Sequence, residues 1–192
     1  MLALDNIEAF VLAGGKSIRM EEDKGLALLR HRPLVSYVLN TLAELQIPTG
    51  LITANDAYKQ FGLPMYADTL TGLGPLGGLL TALENARKPN ILLLGCDMPF
   101  LQSKTIRFIL EHSEDGKVNA CLTNGLVNPL LSIYPQSLLA AVKQQIETGK
   151  YKMQEFISGR SHHLIDLDEE SIPAVTLTNI NSKDELEFWN KN

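Results

Sequence analysis

Cysteine is scarce: the 192 residues hold two, Cys96 and Cys121. The first lies inside an apolar run and the second at the end of one, with no spacing that suits zinc. A disulfide framework and a cysteine-built metal centre are therefore excluded, and the two thiols read as small buried side chains in a reducing compartment. Long apolar runs are missing as well. Nothing approaches the length of a membrane span, and the opening Met1-Leu2-Ala3-Leu4-Asp5 lacks the basic segment and apolar stretch of a secretory signal. A cytoplasmic protein that engages no membrane is expected. Positive charge is in deficit: the formal net charge is −5. This disfavours a general nucleic-acid binder, because phosphate backbones attract basic surfaces. There is no internal repeat and no low-complexity linker. What remains, 45% hydrophobic and 20% charged residues over 192, is the composition of one globular domain with a sizeable core.

The chain alternates strand and helix patterns. Ile7 to Leu12 reads as a buried strand, and Leu34, Val35, Val38, Leu42 and Leu45 recur at helical spacing behind Pro33. Leu51 to Ala54 and Met65 to Ala67 are short strands. Pro75 opens a helix, and Ile91 to Cys96 is apolar on both faces, as a central parallel strand is. A helix follows from Ser103. Val118 to Leu122 and Leu130 to Tyr134 are strands joined by the turn Thr123-Asn124-Gly125, and Ser137 to Ile146 is helical. His163 to Leu167 alternates weakly, with Val175 to Leu177 extending or pairing with it. Ser182 caps a last helix with Glu185 three residues on. This order predicts an α/β fold with a largely parallel sheet. The polar clusters after Leu12, Ala54, Ala67 and Cys96 all fall at strand carboxyl ends, where such sheets bind ligands, so they converge on one crevice.

The most informative stretch is Leu12-Ala13-Gly14-Gly15-Lys16-Ser17-Ile18-Arg19-Met20-Glu21-Glu22-Asp23-Lys24. Its adjacent glycines permit a turn and let backbone N–H groups approach a ligand closely. Lys16, Arg19 and Lys24 add three cations within nine residues. Strand, glycine turn and fixed positive charge suit a bound polyphosphate. The stretch is not a Walker loop, because no Gly-Lys-Ser/Thr stands at the required spacing. It is not a dinucleotide fingerprint, because the third glycine is missing. Asp97, directly after a buried strand, is placed to hold Mg²⁺ with phosphates and water or, alternatively, to cap the next helix. Asp68 and the glycines Gly74, Gly77 and Gly78 offer an acceptor and close backbone approach to a base that presents N–H donors, such as guanine. None of the histidines, His31, His112, His162 and His163, falls in these motifs, so no histidine base is assigned.

Leu-Ala-Gly-Gly-Lys-Ser-x-Arg-Met from Leu12, followed by Asp23-Lys24-Gly25-Leu26, resembles the signature loop of nucleotidyltransferases and is similar to the molybdenum cofactor guanylyltransferase family. Further blocks carry the resemblance to Leu186. They are Cys96-Asp97-Met98-Pro99, the Gly74-Pro75-Leu76 segment, Asn128-Pro129-Leu130, Gly149 to Met153, and Asn179-Ile180-Asn181. Two positions depart from the family pattern. Glu21 stands where glycine is usual, and Lys152 where arginine is usual, which keeps the charge and loses bidentate geometry.

The resemblance implies a single nucleotidyltransferase domain over residues 1–192. Its fold would be a three-layer α/β/α arrangement around a mostly parallel, Rossmann-like sheet of the nucleotide-diphospho-sugar transferase type. It implies transfer of GMP from GTP to the phosphate of Mo-molybdopterin, with Mg²⁺ at Asp97 and pyrophosphate leaving. Arg19, Lys24 and Asp97 would be catalytic. Leu12, Ala13, Gly14, Gly15, Lys16, Lys24, Asp68, Gly74, Gly78 and Asp97 would contact the nucleotide, Asp68 at base or ribose. Lys152, Asn179 and Asn181 would meet the second substrate, although the asparagines equally suit a helix-entry turn. Transient contacts with molybdenum cofactor synthesis proteins and with recipient molybdoenzymes or their chaperones follow from such a product. The alternatives are a CTP-dependent relative, making a cytosine dinucleotide or a sugar-alcohol nucleotide, and a catalytically silent nucleotide- or cofactor-binding module. Gly14-Gly15 and Asp23-Lys24-Gly25-Leu26 favour the guanine enzyme.

Overall fold

The structure, a computed structural model, describes residues 1–13, 20, 23–68, 70, 72–168 and 172–192. In chain order the elements are β1 (Ile7–Leu12), β2 (Leu28–Leu29), β3 (Arg32–Pro33), α1 (Leu34–Glu44), β4 (Thr49–Ile52), β5 (Met65–Tyr66), α2 (Pro75–Asn85), β6 (Asn90–Gly95), α3 (Ser103–His112), β7 (Val118–Thr123), β8 (Leu126–Pro135), α4 (Leu139–Glu147), α5 (Met153–Ser158), β9 (His162–Asp166) and α6 (Lys183–Lys191). Seven strands form one sheet in the order β5-β4-β1-β6-β8-β7-β9, and β2 pairs with β3 in a separate hairpin. β5, β4, β1 and β6 run parallel to their neighbours, β8 is antiparallel to both β6 and β7, and β9 is parallel to β7. Six strands thus end at one edge of the sheet, and β8 alone begins there.

Period-two burial builds the layers. Ile7, Ala9 and Val11 of β1 and Leu92 and Leu94 of β6 face Val35, Val38 and Leu42 of α1 and Ile106, Ile109 and Leu110 of α3. Phe10, Ile91 and Leu93 face the other way, against Leu76, Leu79, Leu80 and Leu83 of α2, Val142 of α4 and Phe156 of α5. Because both faces of β1 and β6 are covered, those strands are mostly apolar, and the buried Glu8 carboxylate of β1 accepts from Arg87 N at 2.7 Å. The result is a three-layer α/β/α domain.

The β7–β8 turn is a two-residue Asn124-Gly125 loop with both residues at positive φ, 52° and 70°. That is the turn whose twist matches a right-handed hairpin. β8 starts at Leu126, earlier than the sequence pattern implies, and its register against β7 shifts between Ala120 and Cys121. Pro129 sits in that irregularity, where a residue without an N–H is tolerated. Residues Ala174–Leu177 form a 3₁₀ turn and do not extend β9, so the expectation of a strand at Val175 to Leu177 is corrected. Proline at 173 starts that turn, and Thr176 N donates back to its carbonyl at 2.8 Å.

A third apolar cluster lies apart from the sheet. Met20, Ala27, Leu29 and Leu34 pack against Ile180 and Leu186, with Phe100 and Trp189 alongside. It fastens α6 and the segment before it over the hairpin, and Asn190 completes the attachment. Its Oδ1 accepts from Arg30 N at 2.6 Å, and its Nδ2 donates to the Leu28 carbonyl at 3.2 Å.

Candidate active site

Four polar side chains meet at the sheet edge where β1 and β6 end. Asp97 follows β6 by two residues. Its carboxylate folds back over Gly95, where an added Cβ would lie 2.6 Å from Asp97 Oδ1, so only glycine leaves the room. Lys24 Nζ donates to Asp97 Oδ2 and to Asn181 Oδ1, the latter at 2.6 Å. Asn179 Nδ2 donates to Asp97 Oδ1 at 3.0 Å, and Ile180 N donates to the Asp97 carbonyl at 2.9 Å. The lysine and aspartate side chains are 19% and 13% exposed, so the pair is largely shielded yet reachable from the crevice. The cluster joins residues 24, 97 and 179–181. The segment holding Asn179 and Asn181 is itself tied down by α6: Ser182 and Glu185 form a capping box, and Glu185 Oε2 also accepts from Asn181 N at 2.5 Å.

Lys24 is presented by a 3₁₀ turn, Lys24–Leu26, capped by Asp23. Asp23 Oδ1 accepts from Gly25 N at 3.1 Å and from the Tyr58 hydroxyl at 2.5 Å. Asp23 Oδ2 accepts from Asn55 Nδ2 at 2.9 Å. Asn55 and Tyr58 belong to the loop after β4. The sequence pattern marks a polar cluster there but gives neither residue a role, and nothing in the apolar pattern marks Tyr58. Cys96 lies beneath the site. Burial, followed by the neighbouring Asp97 charge, pushes its thiol up to about 12, so it is a neutral packing group.

On the β5 side, Asp68 lies beside the start of α2. Its Oδ1 accepts from Thr81 Oγ1 at 3.3 Å. Partial burial raises its carboxyl above the usual range, and the Thr81 hydrogen bond works in the opposite sense. Gly74 stands just before α2 at φ +58° and ψ −148°, a conformation that essentially requires glycine. Gly78 is buried against β1, where an added Cβ would meet Leu12 Cδ2 at 2.7 Å. Its small size is accounted for by helix–sheet packing. Ala13 N donates to the Ile52 carbonyl at 3.1 Å, continuing the β1–β4 ladder to the edge.

The expected sites at Gly14, Gly15, Lys16 and Arg19 lie outside the described residues, as does Glu21. Lys152 is not drawn into the cluster. Its side chain is 79% exposed and pairs with Glu155 at 3.4 Å at the start of α5. Asn179 and Asn181 instead line a hollow of about 550 Å³, together with Thr123, Asn124, Asp168 and Trp189. It opens at the same sheet edge, on the β7–β9 side of Asp97. A larger hollow of about 720 Å³ lies at the β2–β3 turn around Arg30 and His31, and it contains none of the residues expected to act. Among the described residues no helix is long and apolar enough to cross a membrane.

Residues 9–164 match the family model described as the MobA-like NTP transferase domain. The "Probable molybdenum cofactor guanylyltransferase" of Flavobacterium johnsoniae is 31% identical over 190 residues, covering 98% of this chain and 99% of that one. The molybdenum cofactor guanylyltransferase of Pasteurella multocida is 34% identical over 187 residues, covering 93% and 96%. Among solved structures, molybdopterin-guanine dinucleotide biosynthesis protein A from Archaeoglobus fulgidus superposes with a TM-score of 0.77 at 20% identity, covering 96% of this chain and 97% of that one. At that identity it speaks for the fold.

Proposed function

Because the chain belongs to the MobA-like NTP transferase family, we propose that it is a molybdenum cofactor guanylyltransferase, joining GMP from GTP to the phosphate of Mo-molybdopterin and releasing pyrophosphate. The observation that carries this reading is the meeting of Lys24, Asp97, Asn179 and Asn181 at one sheet edge.

Asp68 and Asp97 follow β5 and β6, which stand three strand intervals apart in the sheet. At ~4.8 Å per interval that is roughly 14 Å. This leaves the base and ribose to the β5 side, near Asp68 and Gly74, and the phosphates to the end of β1. The pterin belongs on the opposite flank, in the hollow lined by Asn179 and Asn181, so its phosphate meets the α-phosphorus between the two halves. A phosphate monoester is mostly dianionic at neutral pH, its second pKa being about 6. The attacking oxygen therefore needs no general base, which agrees with a site built without histidine. What the protein must supply is alignment and charge neutralisation. Lys24 delivers a fixed ammonium to the phosphates, and Arg19 and Lys16 add to it. Asn181 and Asp97 hold the Lys24 side chain in line. Asn179 orients the Asp97 carboxylate.

The donor set fits magnesium. Asp97 offers one carboxylate already engaged by a cationic group, and no cluster of three or more His, Cys, Asp or Glu occurs among the described residues. Magnesium takes one or two carboxylates and fills its shell with phosphate oxygens and water. Bound at Asp97, it would draw off charge developing on the phosphates.

Pyrophosphate release tests the reading directly. With molybdopterin, Mg²⁺ and each nucleotide in turn, release is expected with GTP and not with CTP. Release with CTP alone would move the chain to the cytosine branch, and release with neither would overturn the transferase reading.

A further inference from the structure

We infer that Tyr58, acting through Asp23, is a positioning residue that sets where the Lys24 ammonium stands. The inference rests on the reading above, that Lys24 grips the triphosphate, and deepens it.

Tyr58 is fully buried in the apolar cluster on the α1 and α3 face of the sheet, and its ring lies 5.9 Å from that of Phe61. A phenylalanine would satisfy that apolar setting. The hydroxyl is what distinguishes tyrosine, and among the described residues it donates to Asp23 Oδ1, at 2.5 Å. Burial and the Asp23 carboxylate push the phenol's ionisation far above neutral pH, so it acts there as a permanent donor. Asp23 accepts three hydrogen bonds: Tyr58 and Gly25 N share one oxygen, and Asn55 takes the other. The neighbour of Asp23 in sequence is Lys24. Gly25 completes the interlock, because a Cβ there would collide with the Tyr58 hydroxyl. Residues 23–25 are thus fixed from below by the β4 loop while the Lys24 side chain reaches forward to Asp97 and Asn181. Among the described residues the Tyr58 hydrogen bond goes to Asp23 and not to Lys24, Asp97, Asn179 or Asn181, so its influence on the reaction passes through the backbone of the turn.

Tyr58→Phe removes only the oxygen. Two readouts on the full-length protein decide the matter, with circular dichroism confirming the fold. The first is labelling of Lys24 by an amine-directed reagent, mapped by mass spectrometry, with exposed Lys59 as internal standard. Lys24 labelling is expected to rise by about fivefold, the change in local opening that losing one hydrogen bond brings. The second is steady-state pyrophosphate release. There kcat is expected to fall by about tenfold or more, as a displaced catalytic group brings, while KM for GTP stays within about threefold. Unchanged labelling overturns the inference whatever the rate does, and raised labelling with wild-type kcat overturns it as well. A wild-type protein without turnover would sink the reaction reading, and labelling would still decide the anchor. Should Tyr58→Phe not fold, Asp23→Asn, which cannot accept all three hydrogen bonds, is put through the same pair of measurements.

Discussion

Lys24 holds two acceptors at once, and each has a different task. Asp97 shares its charge, and Asn181 fixes its direction without charge. Lys24→Ala is expected to lower kcat for pyrophosphate release by about 10²–10³-fold, the usual effect of removing a preorganised charge donor. The circular dichroism spectrum should not change. Gly95 is a subtler lever. Gly95→Ala would push a methyl into the Asp97 carboxylate and turn it out of line, since the added Cβ would sit 2.6 Å from Oδ1. Its activity should fall by tenfold or more (about 1.4 kcal/mol in the barrier), with a raised Mg²⁺ requirement in the same assay. The thiols make a pH statement. Cys96 is pushed from an ordinary 9.0 up to about 12 by burial first. Folding therefore favours the protonated form. The stability this contributes is complete below about 9, and it is lost as pH rises toward 12. Melting temperatures measured from pH 8 upward should decline, and less steeply in Cys96→Ala.

At the level of elements, the capping box at the start of α6 supports more than its own helix. Glu185 also takes the N–H of Asn181, so cap and site share one carboxylate. Ser182→Ala should cost about 1 kcal/mol, read as a melting temperature lower by roughly 2–4 °C. Glu185→Ala should lower turnover in addition, by freeing Asn181. Much of this layer was legible in the sequence. The apolar runs of β1 and β6, the Asn124-Gly125 turn and the Ser182–Glu185 spacing each carry a local physical signal that survives folding. Elements without such a signal escaped notice. β2 and β3 have two residues each, and their Arg30-His31 turn uses positive φ without glycine or asparagine. α5, at six residues, is too short to show a helical period. In the site, Lys24 and Asp97 could be named from charge and strand ends. Tyr58 could not, because its meaning comes from a carboxylate 35 residues away.

Across the whole molecule the sheet divides the work. The parallel half, β5-β4-β1-β6, presents Asp68, Gly74 and Asp97, and the half beyond the antiparallel β8 presents the hollow beside Asn179. A ligand bound across the first half stabilises the whole domain by mass action. GTP with Mg²⁺ at a hundred times its Kd should add about 2.7 kcal/mol, which for a chain of this size shifts the melting temperature by roughly 5–10 °C. CTP at the same concentration should give a clearly smaller shift, and a scan of both nucleotides checks it.

The strap from Asn179 to Asn181 reaches back across most of the chain to close on Asp97 and Lys24. Synthesis runs from the amino end, so the ribosome releases the glycine loop, the β4 anchor and Asp97 well before the two asparagines emerge. A nascent chain can assemble its sheet and still have an incomplete centre. Chemistry becomes possible only when the last helix docks and draws the strap into place.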